Sequence, residues 1–471
     1  MSEPQIHHPP QDLQSETFID KILAATPVAP GSAQVLDILD KAKELHGLNS
    51  EEVAVLMKIS DPDQVEELYE TARYIKDAIY GNRIVLFAPL YISNLCKNEC
   101  LYCAFRATNK AIERRALTQE EIAREVALLE KQGHKRLLLV AGESCSQEGF
   151  RYILDSIDTV YRTCGGHDEI RRVNVNIAPL ATEEFQELKG AGIGTYQLFQ
   201  ETYHRPTYAK VHIAGKKTDF DWRVTAMDRA MTAGIDDVGI GVLFGLHDWK
   251  FEILGLLNHI QHLEDRFGVG PHTISVPRLE PATNSELAAH PPCPVTDDAF
   301  RKIVAVLRLA VPYTGIILST RESSEMRREM LALGISQISA GSRTNPGGYS
   351  SAVKDSVDAQ FSLGDHRSLD QVIREAAAMG YVPSFCTACY RLGRTGKDFM
   401  DLAKPGEIRL HCEPNGLATF LEYLLDYASE ETRRVGEETI REVVASLTGV
   451  ECERSKKMLQ QVREGRRDVY C

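Results

Sequence analysis

RIVLFAPLYISNLCKNECLYCAF, residues 83–105, opens as an apolar, β-branched run and ends in three cysteines at positions 96, 100 and 103. Its first part, 83–91, reads as a β-strand. The second part is a C-x3-C-x2-C loop leaving that strand. Seven more runs of the first kind follow, at 135–141, 171–178, 194–200, 236–244, 273–280, 315–320 and 336–341, separated by helical stretches or turns. Thr118-x-x-Glu121 forms a capping box ahead of Ile122–Leu129, and Gly133, Gly192, Gly234 and Gly334 stand where helices should end. Strand then helix, eight times over, is the pattern of a (β/α)8 barrel. An open doubly wound sheet would alternate in the same way, and periodicity alone does not show closure.

Outward from this core, Val35–Leu45, Ser50–Lys58 and Asp63–Ala78 carry apolar positions at three- and four-residue spacing. They predict a helical extension over 1–80, followed by a barrel over 81–345 and a C-terminal helical domain over 346–471. Within the last, Leu369–Met379 reads as the eighth outer helix, a cysteine-rich segment spans 381–415, and two helices are expected near 417–428 and 431–447. The Gly-, Ser- and Asp-rich segment Thr344–His366 reads as a loop able to reach over the barrel.

The chain has 471 residues, 54 Lys plus Arg against 67 Asp plus Glu, and a net charge of −13. That balance argues against nucleic acid or an anionic membrane as the main partner. No apolar run reaches membrane-spanning length and the amino terminus is polar, so a cytoplasmic protein is expected. Eleven cysteines, an odd number in a long chain without a secretion signal, favour metal ligation over a disulfide framework.

Cys96, Cys100 and Cys103 suit a [4Fe-4S] cubane whose fourth iron stays open, whereas structural zinc would want a fourth Cys or His close by. Loops after barrel strands lie on the C-terminal face, where barrel enzymes do their chemistry. A second set, Cys386-x2-Cys389 and Cys412 with His411 beside it, is compatible either with a cluster or with a Cys3His zinc site. The helix after strand eight returns the chain to the lower face, so this set should sit opposite the first. His272, in Gly270-Pro271-His272-Thr273, begins strand six on that same lower face.

The first motif, with Tyr102 before its third cysteine, resembles the radical S-adenosylmethionine (SAM) superfamily. The resemblance implies that SAM chelates the open iron and is split to a 5′-deoxyadenosyl radical. It also implies cofactor contacts from Tyr102, from the Ala141-Gly142-Glu143-Ser144 turn after strand two, from Asn174 and Asn176 on strand three, and from Glu201 and Tyr203 after strand four. Val238–Gly245 is similar to a glycine-bearing fifth-strand segment that packs against adenine. Over about 20–471, with GPHTISVPRLEPA (270–282) and LSTRES (318–323), the chain resembles the tyrosine lyases of [FeFe]-hydrogenase maturation.

That closer resemblance implies cleavage of the Cα–Cβ bond of L-tyrosine to p-cresol and dehydroglycine, the latter converted to carbon monoxide and cyanide. Arg321 would bind the substrate carboxylate, with Ser319 and Ser342 as hydrogen-bonding partners. Cys386, Cys389 and Cys412 would hold an auxiliary [4Fe-4S] cluster linked through a non-protein cysteine to a further iron that His272 ligates. A reduced flavodoxin or ferredoxin and other hydrogenase maturation proteins are the implied partners. Two other readings remain at this stage: a thiazole-biosynthesis tyrosine lyase, which lacks the second cysteine set, and a non-catalytic iron–sulfur scaffold.

Overall fold

Val85, Leu86 and Phe87 pair in parallel with Gln337, Ile338 and Ser339, which joins the first barrel strand to the last. This register excludes the open sheet. In the computed structural model, which describes residues 16–144, 148–165, 168–351 and 357–471, the barrel strands are β1 (Arg83–Ser93), β2 (Arg136–Ala141), β3 (Arg172–Asn176), β4 (Tyr196–Gln197), β5 (Val238–Gly241), β6 (Thr273–Ser275), β7 (Gly315–Leu318) and β8 (Gln337–Ser339). All pairings are parallel, and each strand neighbours the next in sequence. The fold is a closed (β/α)8 barrel. β4 is shorter than expected, yet Leu198 and Gln200 still donate to Gly239 and Gly241 and carry the chain on to the upper rim.

Local chemistry sets the intervening helices. Thr118 and Glu121 exchange both capping-box bonds at the start of Gln119–Lys131. Gly133, Gly192 and Gly234 adopt positive φ just beyond their helices, the conformation that lets the chain turn back towards the sheet. The N-terminal helices Glu16–Ala25, Ser32–Ala42, Ser50–Lys58 and Pro62–Tyr80 lie against the barrel's outer layer, the last packing on Asp297–Ala310 and Ser324–Leu333.

After helix Leu369–Ala378, strand β9 (Val382–Ser384) pairs with Arg83–Val85 at the lower end of β1. The helices Ala388–Arg391, Gly396–Ala403, Arg409–Asp426, Glu430–Ser446 and Gly449–Arg463 complete the chain. Two details differ from expectation. The helix expected from about 417 starts at Arg409, so Cys412 lies in its first turn; Pro414 lies inside this helix, where it has no N–H to donate to the Leu410 carbonyl. The final helix was not anticipated because it is highly charged and buries only a narrow stripe of Ser455, Met458, Leu459 and Val462. Among the described residues no helix is long and apolar enough to cross a membrane.

Strand alternation decides what the lumen contains. On β1, Arg83 and Val85 face a lower cavity, while Phe87, Pro89 and Tyr91 face an upper one. Between them Phe87, Leu138 and Ile317 meet as a small apolar layer. Gly239 narrows nothing here: a Cβ at that position would lie 2.5 Å from Thr273 Oγ1 and 2.8 Å from Gln197 Cγ.

Candidate active site

Cys96, Cys100 and Cys103 are free thiols lining one cavity at the upper mouth. The loop that carries them is pinned by a ladder between Glu99–Cys100 and His212–Ala214 and by Leu101 donating to the Val211 carbonyl. Tyr102 hydrogen-bonds His212 Nε2 at 2.8 Å, and burial lowers that imidazole to about 2, so it is neutral. Burial raises all three thiols, Cys103 to about 11. Thiols this deep keep their protons unless a cation takes their place. Among the described residues no three Cys, His, Asp or Glu side chains stand close enough to share a single metal ion. Three free thiols around one cavity are the ligand set of an iron–sulfur cubane with one open iron.

The β2 turn reaches the loop through backbone. Gly142 N donates to Ser93 O at 2.9 Å and Ser144 N to Leu95 O at 3.2 Å. A Cβ on Gly142 would fall 2.3 Å from Leu95 O, so only glycine permits the approach. Glu143 accepts from Asn98 Nδ2 at 2.6 Å and Arg223 Nη1 at 2.8 Å. Although burial pushes its carboxyl up, Arg223 and Lys217 hold it below the usual range. Lys217 in turn donates to Glu201 at 2.6 Å. Glu201 has φ +73°, and the turn is held from outside by buried Glu252, which accepts from Thr202 Oγ1 and, at 2.8 Å, from Tyr203 N.

Tyr102, Gly142, Glu143, Asn176 and Glu201 line the upper cavity together. Ser144, Asn174 and Tyr203 do not. Asn174 Oδ1 is occupied by Arg172 Nε at 2.6 Å and Thr195 N at 3.0 Å. The Tyr203 ring packs outward against the helix Trp249–Phe267, its hydroxyl on His259 Nδ1 at 2.8 Å. Position on the right strand end did not settle which way a side chain pointed. Lys217 and Arg223, absent from the sequence reading, sit in short helical segments that carry no motif.

Across the same cavity stand Ser319, Arg321 and Ser342. The alternative partner for Arg321, its neighbour Glu322, is taken: Arg278 holds Glu322 through Nε at 2.9 Å and through Nη2. The Arg321 guanidinium stacks 3.2 Å from the Phe361 ring centroid, and Ser342 Oγ is buried without a partner among the described residues. Thr344, Gln360 and Phe361 bring the expected loop over this mouth; residues 352–356 of that loop lie outside the described residues, as does Cys145.

At the lower mouth Cys386, Cys389, Cys412 and His272 line a second cavity with Arg83, Arg136 and Arg172. Burial raises Cys412 to about 12 and lowers His272 to about 4, leaving its imidazole neutral and able to ligate. His411 is not in this lining; its Nδ1 meets Arg394 Nη1 at 2.9 Å. Nε of Arg83, Nε of Arg136, Nη1 of Arg172 and Nδ1 of His272 are buried without hydrogen-bond partners among the described residues. Three guanidiniums at one mouth favour an anionic occupant. Sequence reading missed them because arginine at a strand start looks like an ordinary surface residue.

Residues 90–258 match the model of the Radical SAM superfamily and residues 275–382 that of the Biotin and Thiamin Synthesis associated domain. Of curated proteins, 2-iminoacetate synthase from Escherichia coli (strain K12) is 32% identical over 360 residues, covering 76% of this chain and 92% of that protein. The crystal structure of HydG, a maturase of the [FeFe]-hydrogenase, superposes with a TM-score of 0.93 at 50% identity, covering 98% of this chain and 100% of that one. The maturase HydG from Carboxydothermus hydrogenoformans gives 0.81 at 39% identity over 96% of this chain and 98% of that one. The chain is a radical SAM enzyme, with SAM and a [4Fe-4S] cluster as its cofactors. Within that superfamily it belongs to the carbon–carbon lyase family of 2-iminoacetate synthase and the HydG maturases.

Proposed function

We propose that this enzyme cleaves L-tyrosine between Cα and Cβ and processes the released dehydroglycine at a second cluster, as a maturase for [FeFe]-hydrogenase. One observation carries this reading: two separate trios of free thiols, one at each mouth of a single barrel lumen, with the unpaired guanidinium of Arg321 facing the upper trio.

Cys96, Cys100 and Cys103 would hold the [4Fe-4S] cluster with its open iron. With SAM bound there, the cluster supplies a one-electron cleavage to the 5′-deoxyadenosyl radical. Tyr102, Gly142, Glu143, Asn176 and Glu201 form its cradle; the backbone of the Gly142 turn and the carboxylates are suited to an ammonium and hydroxyl groups. Ser144 and Tyr203 brace the turns that carry Glu143 and Glu201 through their backbone N–H groups, whereas Asn174 is engaged with Arg172 and Thr195.

Arg321 would grip the tyrosine carboxylate and so fix the amine towards the cluster side of the cavity, a matter of orientation worth several orders of magnitude in rate. Ser319 and Ser342 add hydrogen bonds, Ser342 from a hydroxyl that has no other partner. The phenol ring would meet apolar side chains of the same cavity such as Phe87, Leu138 and Leu279.

Cys386, Cys389 and Cys412 would hold an auxiliary [4Fe-4S] cluster, and His272 a further iron attached to it through a non-protein cysteine. When occupied, that site would supply the conversion of dehydroglycine to carbon monoxide and cyanide. Arg83, Arg136 and Arg172 would draw in the carboxylate fragment. An iron unit bearing these ligands would pass to other hydrogenase maturation proteins, and reduced flavodoxin or ferredoxin would supply electrons.

The test is anaerobic reconstitution with SAM, reductant and tyrosine, with p-cresol and carbon monoxide measured together. Both products in the same reaction support the reading. Cresol without carbon monoxide assigns the enzyme to release of the imine instead, and neither product overturns tyrosine cleavage.

A further inference from the structure

The segment 357–366 crosses the upper mouth as a strap. Gln360 N donates to Thr344 O at 2.9 Å on the β8 side, and Ala104 N reaches Gln360 O at 3.4 Å on the cysteine-loop side. Ser362 N donates to Pro281 O at 2.9 Å and Gly364 N to Thr320 O at 2.9 Å. A Cβ on Gly364 would fall 2.4 Å from Arg321 O, so the strap lies flat on the loop that carries Arg321. The backbone of one short segment thus touches both the thiol loop and the substrate loop.

The Gln360 side chain points into the cavity between them. Its Oε1 accepts from the Tyr91 hydroxyl at 2.7 Å, and its Nε2 faces Cys103 Sγ at 3.8 Å. The chemistry of both neighbours fixes the amide this way round. A ligating thiolate only accepts, so it must meet the NH2 end, and the phenol then donates to the carbonyl end. Phe361, the next residue, is clamped over the Arg321 guanidinium and limits how far Gln360 can turn.

We infer that Gln360 is a positioning residue for the radical-generating cluster, donating an N–H···S hydrogen bond to the Cys103 thiolate and thereby raising the cluster's reduction potential. A hydrogen bond to a ligating sulfur stabilises the reduced, more negative state over the oxidised one, and such bonds are among the levers that set cluster potential. The protein needs this lever here. Glu143 and Glu201 line the same cavity, but Lys217 and Arg223 offset their charge, so this group of four brings no net positive charge to ease reduction. Those two cations are committed to the carboxylates, and Cys103 Sγ accepts one N–H from Phe105 at 3.4 Å, so Gln360 supplies a second, side-chain donor to the same sulfur. The inference rests on the reading of Cys96, Cys100 and Cys103 as cluster ligands.

The experiment is an anaerobic potentiometric titration of the reconstituted full-length enzyme. It follows the electron paramagnetic resonance signal that changes on adding SAM, which marks the cluster with an open iron. Gln360→Leu removes the donor, and Gln360→Glu replaces it with an acceptor of the same volume. Both are expected to move the midpoint to more negative potential, Glu further than Leu, at unchanged iron content. Tyr91→Phe, which frees the amide while keeping the ring, should move it part of the way. An unchanged midpoint in Gln360→Leu, or a shift in Gln360→Glu alone, would overturn the proposal, the latter by showing only an added charge. A wild-type protein with no SAM-responsive signal would overturn the cluster assignment itself, a separate failure that p-cresol release identifies independently.

Discussion

Arg278 grips Glu322 with Nε 2.9 Å from Oε1 and Nη2 on Oε2, and this pair leaves the adjacent Arg321 facing the upper cavity with no ion-pair partner among the described residues. A guanidinium already bound to its neighbour would have to give up that bond before it could hold a substrate carboxylate.

Releasing Glu322 should therefore weaken substrate binding without touching the site directly. Arg278→Ala is expected to raise KM for tyrosine about tenfold with a smaller change in kcat, a loss of about 1.4 kcal/mol. Adding Glu322→Gln to that variant should restore most of the affinity. Steady-state p-cresol release measures both; equal KM in the single and double variants would contradict competition by Glu322.

The two thiol sets should separate genetically. Replacing Cys386 and Cys389 with Ser is expected to keep tyrosine cleavage and to lower carbon monoxide at least tenfold, whereas Ser at Cys96, Cys100 or Cys103 should abolish both products. Parallel assays of the two products decide this. Equal loss of both in the Cys386/Cys389 variant would mean that the lower set serves the first reaction too.

Gly142→Ala should damage cofactor binding more than its one methyl suggests. The added Cβ would lie 2.3 Å from Leu95 O and must push the cysteine loop from the β2 turn. The expected outcome is SAM affinity reduced by about tenfold or more, from strain of order 1–3 kcal/mol, with the far-ultraviolet circular dichroism unchanged. Binding of SAM to reconstituted protein measures it, and wild-type affinity would show that the loop yields freely.

Buried His134 has both ring nitrogens without hydrogen-bond partners, and burial lowers its imidazole to about 3. Between that value and about 6.5 the unfolded chain binds a proton that the native state does not. Stability from this group is complete above about pH 6.5 and falls as pH drops towards 3, at about 1.4 kcal/mol per pH unit. His134→Leu should remove that slope and stabilise the protein at pH 5 more than at pH 8. Urea midpoints at the two pH values test it; parallel shifts at both would exclude the titration.

Much of the barrel could be read from the chain. Seven of the eight strands fall inside runs marked by their apolar content, β1 outruns its own by two residues, and the capping box at Thr118 and the glycines at 133, 192 and 234 place helix ends. Cys96, Cys100 and Cys103 announce themselves because three ligands on one loop are close in sequence as well as in space. Asn174 and Tyr203 were less legible. Both sit at the expected strand ends, but Arg172 claims the first and His259 the second, partners that no spacing rule reveals. Gln360 was invisible for a related reason: it reaches Cys103 from 257 positions away.

By itself the sequence determined the alternating strands and helices, the Cys96–Cys103 motif, the Cys386–Cys389 pair and the local caps, because each depends on residues within one or two turns of one another. Only the tertiary structure decided that the sheet closes, that His411 pairs with Arg394 while His272 joins the lower thiols, and that three arginines from separate strands converge beneath them. These are contacts between distant segments, set by strand register and burial, and a one-dimensional pattern does not carry them.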